Sequence, residues 1–190
     1  SGLFVFTTVD LFLARHFLDG EASGGYVAAA TIGKTLLALP AAALAAAYPR
    51  MVAAGTGPGR LPEVRRTGIV VAGLAVIAGI VVAAFPGLVL DALYGDSFDG
   101  QADLVRILAI VAALSAVVSV ATYALLAVGS RLSLLPWFGA GLEVVAITIW
   151  HGSALQVATA SAGALAVTLV ICLVALRLAL PSRARHGHAA

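Results

Sequence analysis

Charge is what this sequence has least of. Asp, Glu, Lys and Arg together make up 11% of its 190 residues, against roughly 25% in soluble domains, which need that share to cover their surface. Cysteine is almost missing as well. Cys172 stands alone, which excludes a disulfide framework and any multi-cysteine metal site. It lies in an apolar run and reads as a small buried hydrophobe. There is no glycine-rich phosphate loop, no nucleophile elbow, no zinc-binding His-Glu pair and no acid–base dyad of a soluble cleft. His186 and His188, near the C-terminal end, lack companion ligands for a metal. Neither a cofactor nor a metal is expected, and the chain reads neither as an enzyme nor as a nucleic-acid binder.

What is present is hydrocarbon. Hydrophobic residues make up 62% of the chain and its mean hydropathy is +1.07. A bilayer core about 30 Å thick is crossed by roughly 20 apolar helical residues. Six segments reach or approach that length: 2–18, 24–48, 68–93, 102–128, 132–150 and 154–180. Strict alternation is missing and the runs are too long for barrel strands. Helices are then the only way to satisfy the backbone in lipid. The expected fold class is therefore an all-α integral membrane protein, a bundle of six transmembrane helices, with 181–190 as a polar cytoplasmic tail. The first stretch lacks the basic leader and small-residue cleavage site of a signal peptide. It reads as the start of a fragment or processed piece that begins at or inside a membrane helix.

The connections alternate in sign. One set carries Arg50, Arg60, Arg65, Arg66, Arg131, Arg183 and Arg185 against the single acid Glu63, with Arg177 in the last helix on the same side. The other carries Asp19, Glu21, Asp91, Asp96 and Asp99, with Asp103 at the next helix start. Basic loops are retained in the cytoplasm, so both termini are expected on the inside, which agrees with an even number of spans.

A charge at a helix centre costs roughly 2.5–3.5 kcal/mol to insert, so each one asks for a reason. Counting at about 1.5 Å per residue, Asp10 lies roughly 12 Å below the outer end of the first helix and Lys34 roughly 15 Å below that of the second. A tight turn makes these helices antiparallel neighbours, so Asp10 and Lys34 come to similar depth and are expected to pair. The pair reads either as a structural tie between helices or as a group that handles substrate or ions. Glu143 lies roughly 10 Å deep in the fifth helix with no sequence-local partner. Arg15 and Arg106 sit near the outer boundary, where long side chains snorkel, and complete the set of binding candidates. Polar stripes mark expected cavity-lining faces: Thr7 with Asp10; Thr31 and Thr35 with Lys34; Ser115, Ser119 and Thr122; Gln156 and Thr159. Each stripe alone also fits small-residue helix packing. Pro40 removes a backbone donor inside the second helix and is a candidate hinge.

Some segments look familiar. Asp10-Leu11-Phe12-Leu13-Ala14-Arg15-His16-Phe17-Leu18 is followed by Gly24-Gly25-Tyr26-Val27-Ala28-Ala29, Gly33-Lys34, Leu39-Pro40 and Tyr48-Pro49-Arg50. Further on come Phe85-Pro86-Gly87-Leu88 and Leu93-Tyr94-Gly95-Asp96-Ser97-Phe98, then a long apolar helix ending at Gly129-Ser130-Arg131. Together these resemble the C-terminal half of the polysaccharide and lipid-linked oligosaccharide flippases, within the multidrug/oligosaccharidyl-lipid/polysaccharide exporter superfamily. The resemblance extends to about Arg131; beyond it only hydropathy continues. It implies the second bundle of a V-shaped, two-bundle transporter that works by alternating access. Its partners would be membrane lipids, an anionic lipid-linked saccharide and an N-terminal six-helix half, and its place the cytoplasmic membrane. Two other functions stay open: a cation-coupled drug or metabolite antiporter of the same superfamily, with Asp10 and Glu143 as carriers, and a non-transporting membrane scaffold.

Overall fold

The computed structural model describes the backbone of residues 2–53, 60–94, 101–127 and 129–184, and the side chains of 2–35, 42–49, 66–93, 101–127 and 129–178. The described residues form helices, with no strand among them. In chain order they are α1 (Gly2–Phe6), α2 (Val9–Phe17), α3 (Gly20–Ala53), α4 (Arg60–Ala84), α5 (Pro86–Tyr94), α6 (Ala102–Ala127), a 3-10 turn (Arg131–Leu134), α7 (Leu135–Ile149) and α8 (Ala154–Ala184).

Among the described residues, four stretches are long and apolar enough to cross a membrane: Arg66–Ala84, Ala102–Ala127, Arg131–Ile149 and Ala154–Leu178. Their outward faces say the same thing. Ile69, Ile77 and Ile80 of α4, Val145 and Ile149 of α7, and Val170 and Leu178 of α8 are all exposed. In water such a surface would be an aggregation site, whereas in lipid it is an ordinary exterior.

α6 sits at the centre and packs against α3, α4 and α8, while α7 packs against α8, α1 and α2. Burial follows this position. Leu104, Val105, Leu108, Ala109, Ala112, Ala116, Val118, Ala121, Ala124 and Leu125 of α6 are all buried. The contacts are close because the residues are small. A Cβ on Gly33 of α3 would lie 3.0 Å from the Leu108 carbonyl oxygen, and one on Gly79 of α4 would lie 2.8 Å from the Ala113 Cβ. Dispersion between tightly fitted backbones holds helices together where no hydrophobic effect operates. α6 ends at Gly129, whose φ of 64° suits glycine alone. There the Gly129 N–H donates to Leu126 O at 2.8 Å and the Ser130 N–H to Leu125 O at 3.0 Å, closing the helix end.

Two single helices expected from hydropathy are each divided. The segment 2–18 is α1 and α2, separated at Thr7 and Thr8. The segment 68–93 falls within α4 and α5, separated at Phe85, where Pro86 cannot donate to the ladder. Other helices run further than hydropathy implies. α3 extends to Ala53, through both Pro40 and Pro49, and its 34 residues span about 51 Å, well beyond the hydrocarbon. α4 begins at Arg60 and α8 reaches Ala184. A polar sequence ends a span but not a helix, since water tolerates a helix that lipid has released. The Pro40 side chain and those of Arg50, Arg60, Glu63, Arg65 and Arg183, together with the whole of Asp96, Asp99, Arg185, His186 and His188, lie outside the described residues.

Candidate functional site

The break between α1 and α2 is made by two adjacent threonines. Thr7 Oγ1 donates to Leu3 O at 3.0 Å, and Thr8 Oγ1 donates to Phe4 O at 2.7 Å. These hydroxyls occupy carbonyls that the helix ladder would use. The main chain tightens in response: the Thr8 N–H donates to Val5 O at 3.1 Å and the Leu11 N–H to Thr8 O at 3.2 Å, both three residues back. α2 then starts afresh at Val9, which places Asp10 in its first turn. The positive end of a helix dipole complements a carboxylate there.

Asp10 is buried, with 3% of its surface exposed. Its Oδ1 lies 3.3 Å from Lys34 Nζ, and its Oδ2 accepts from the Tyr26 hydroxyl at 3.2 Å. Lys34 is the only lysine in the chain. The two ends of the ion pair differ in access, the Lys34 side chain being 30% exposed and that of Asp10 5%. The Lys34 side chain thus keeps some access, on a helix whose Thr31 and Thr35 are exposed, while the carboxylate is shut in.

Glu143 completes the cluster from α7. It is 1% exposed, and its Oε2 has no hydrogen-bond partner. The buried Ser161 hydroxyl of α8 lies beside both Glu143 and Tyr26 without a well-formed bond to either. Asp10, Lys34, Glu143, Thr7 and Ser115 line one cavity, closed by apolar Phe6, Leu108 and Leu165. Its volume is about 20 Å³, enough for roughly one water-sized occupant. Five helical pieces therefore converge on a small polar chamber: α1–α2, α3, α6, α7 and α8.

The other candidates fall elsewhere. Arg15 is exposed and donates to Ser23 Oγ at 3.2 Å. Arg106 is exposed too, pairing with Asp103 at 3.0 Å and donating through Nε to Ala83 O at 3.2 Å. Neither lines the chamber. Ser119 and Thr122 donate to Ser115 O and Val118 O, each at 2.8 Å, which satisfies them within α6. Thr31 and Thr35 are spent in the same way on Val27 O and Thr31 O. Gln156 and Thr159 stand on the exposed side of α8. There the Gln156 Oε1 accepts from the Gly152 N–H, and the Thr159 hydroxyl donates to Gln156 O, so both finish the helix start rather than line the chamber. The inward face of α8 is Val157, Ser161, Leu165, Thr168 and Cys172, all buried.

Sequence reasoning missed Tyr26 and Ser161. Each carries a faint signal. Tyr26 is the single aromatic among the small residues opening α3, and Ser161 falls on a repeat of three and four residues with Leu165, Thr168 and Cys172.

These features define an all-α, multi-pass membrane protein with a buried charged chamber. Comparison with known proteins gives no match: no family model, no curated protein and no solved structure aligns with the chain.

Proposed function

We propose that the chain is one six-span bundle of a membrane transporter, with α1–α2 and α3 crossing the bilayer beside the four long spans and both termini in the cytoplasm. The observation that carries this reading is the chamber itself. Intramembrane charges are costly and belong by default to substrate, ion or proton paths. Broken helices are tolerated at membrane depth where they border such paths, and Asp10 sits two residues beyond one.

The cargo we propose is a lipid-linked oligosaccharide or polysaccharide precursor, flipped across the cytoplasmic membrane by alternating access together with an N-terminal six-helix half. The resemblance of residues 10–50 and 85–131 supports it, and so does the access of Lys34. A pyrophosphate arriving along the Thr31–Thr35 face can compete with Asp10 for the ammonium, and a charge-assisted contact of that kind is strong in a low-dielectric site. A chamber of about 20 Å³ holds no headgroup, so the anion would meet Lys34 from outside it. In the intact protein, Lys34→Ala should abolish flipping of a labelled lipid-linked oligosaccharide in proteoliposomes; unchanged flipping would remove the assignment.

One observation favours a second reading, that of a cation-coupled antiporter. Glu143 offers a buried carboxylate oxygen without a donor, beside a carboxylate that already holds a lysine, as a proton or sodium carrier would. Efflux of organic cations driven by an ion gradient, lost in Glu143→Gln, would establish that reading in place of the first.

A further inference from the structure

A second cavity lies on the outside of the bundle. It is an open groove of about 710 Å³, within the roughly 300–1,000 Å³ of small-ligand sites. Gly79 and Ala83 of α4 and Ala113 of α6 form its floor, and Ile80, Ile110 and Leu169 stand along its sides. All three helices that line it are membrane-crossing spans, so its surroundings are hydrocarbon. Along α4 it runs from Val76 to Ala84, about 12 Å at 1.5 Å per residue. That is close to the roughly 15 Å depth of one leaflet, half of the bilayer core.

One end of the groove is charged. Ala83, part of the floor, accepts a hydrogen bond from Arg106 Nε at 3.2 Å, which holds the guanidinium over the mouth. Arg106 Nη1 lies 3.0 Å from Asp103 Oδ1, and both side chains are more than half exposed. The mouth therefore presents a cation and a carboxylate side by side above an oily slot about one leaflet deep.

We propose that this groove binds one acyl chain of a phospholipid whose headgroup is zwitterionic and carries a primary ammonium, as in phosphatidylethanolamine. Arg106 takes the phosphate oxygens and Asp103 accepts from the ammonium. The carboxylate repels a headgroup of net negative charge, and a quaternary ammonium has no N–H to donate to it. A packed partner helix would need an apolar seam along the full thickness of about 30 Å, which a slot of 12 Å does not supply. The site holds whether or not the cargo proposed above is correct, since no chamber residue lines it.

The test uses the intact protein in nanodiscs containing equal parts of phosphatidylethanolamine, phosphatidylcholine and phosphatidylglycerol, each in turn carrying a photoactivatable acyl chain. Cross-links should map to 76–84 and 110–117, with the ethanolamine lipid recovered roughly fivefold over the glycerol lipid, the worth of one partly exposed charge-assisted hydrogen bond. Asp103→Asn, which removes the carboxylate that accepts from the ammonium and repels a net anion, should erase that preference. Ala84→Phe, at an exposed position of the groove, should suppress the cross-links while leaving the bundle intact. Labelling spread evenly over the exposed faces of α4, α6 and α8, equal recovery of the three lipids, or cross-linking undiminished in Ala84→Phe would each overturn the site.

Discussion

Removing one member of the Asp10–Lys34 pair should cost more than removing the other, and the reason is their unequal burial. A separation of 3.3 Å corresponds to about 5 kcal/mol of attraction at an effective dielectric of about 20, most of which desolvation offsets. Lys34→Met leaves the Asp10 carboxylate with 5% of its side chain accessible, and the Tyr26 hydroxyl as its remaining donor. An orphaned buried charge of this kind costs about 3 kcal/mol. Asp10→Asn leaves a lysine with 30% of its side chain accessible, whose flexible stem lets the ammonium swing outward. The amide still accepts from Tyr26, so the cost should be nearer 1 kcal/mol. The double variant Asp10→Asn/Lys34→Met removes both charges and should return to within about 1 kcal/mol of the Asp10→Asn single. Cys172 supplies the assay. It is the only cysteine and is fully buried, so its labelling by a thiol reagent during SDS titration in mixed micelles reports unfolding of the core. Equal costs for the two single variants, or strict additivity in the double, would refute the argument from burial.

Gly139→Ala should destabilise by about 1–3 kcal/mol, because its Cβ would lie 2.7 Å from Thr168 Oγ1 and 2.8 Å from Phe6 Cζ. Gly141→Ala, one half-turn along the same helix with nothing within 4 Å, should instead gain up to about 1 kcal/mol of helix propensity, and thermal unfolding in detergent compares the two. Glu143→Gln should cost no stability, since Oε2 has no donor to lose and the amide buries no charge, while any ion-driven transport in proteoliposomes disappears; a large loss of stability would mean that the carboxylate is structural. Alkaline carbonate should leave the chain in the membrane pellet, because the exposed Ile69, Ile77, Val170 and Leu178 have no aqueous alternative; release into the supernatant would contradict the membrane assignment.

Much of the architecture is readable from composition, because lipid imposes one rule on every residue it touches. Long apolar runs must be helices there, and a charge within one must be compensated. That rule is enough to mark the spans at Ala102–Ala127 and Ala154–Leu178. With a depth count and a tight turn, it is also enough to bring Asp10 and Lys34 to the same level. It says nothing about the direction in which a helix turns its faces. Gln156 and Thr159 are as regular in sequence as Ser161 and Thr168, yet the structure buries the second pair and exposes the first. Hydropathy cannot choose between two faces that are both mildly polar; only the packing of α8 against α6 and α7 does.

The break before Asp10 was hidden for a related reason. Thr7 and Thr8 are apolar enough to continue a span, and whether a threonine hydroxyl turns back on its own carbonyls is a local choice that surrounding helices must accommodate. Nor could the sequence nominate Glu143, Tyr26 and Ser161 as neighbours, separated as they are by up to four intervening helices. By itself the sequence determined the apolar solvent of this protein and its helical character, because these follow from each residue's transfer energy. Which charges meet, which hydroxyls face inward and which carboxylate stays without a donor were decided by tertiary structure, because those are properties of helix rotation and close packing around α6 and exist only once the bundle has formed.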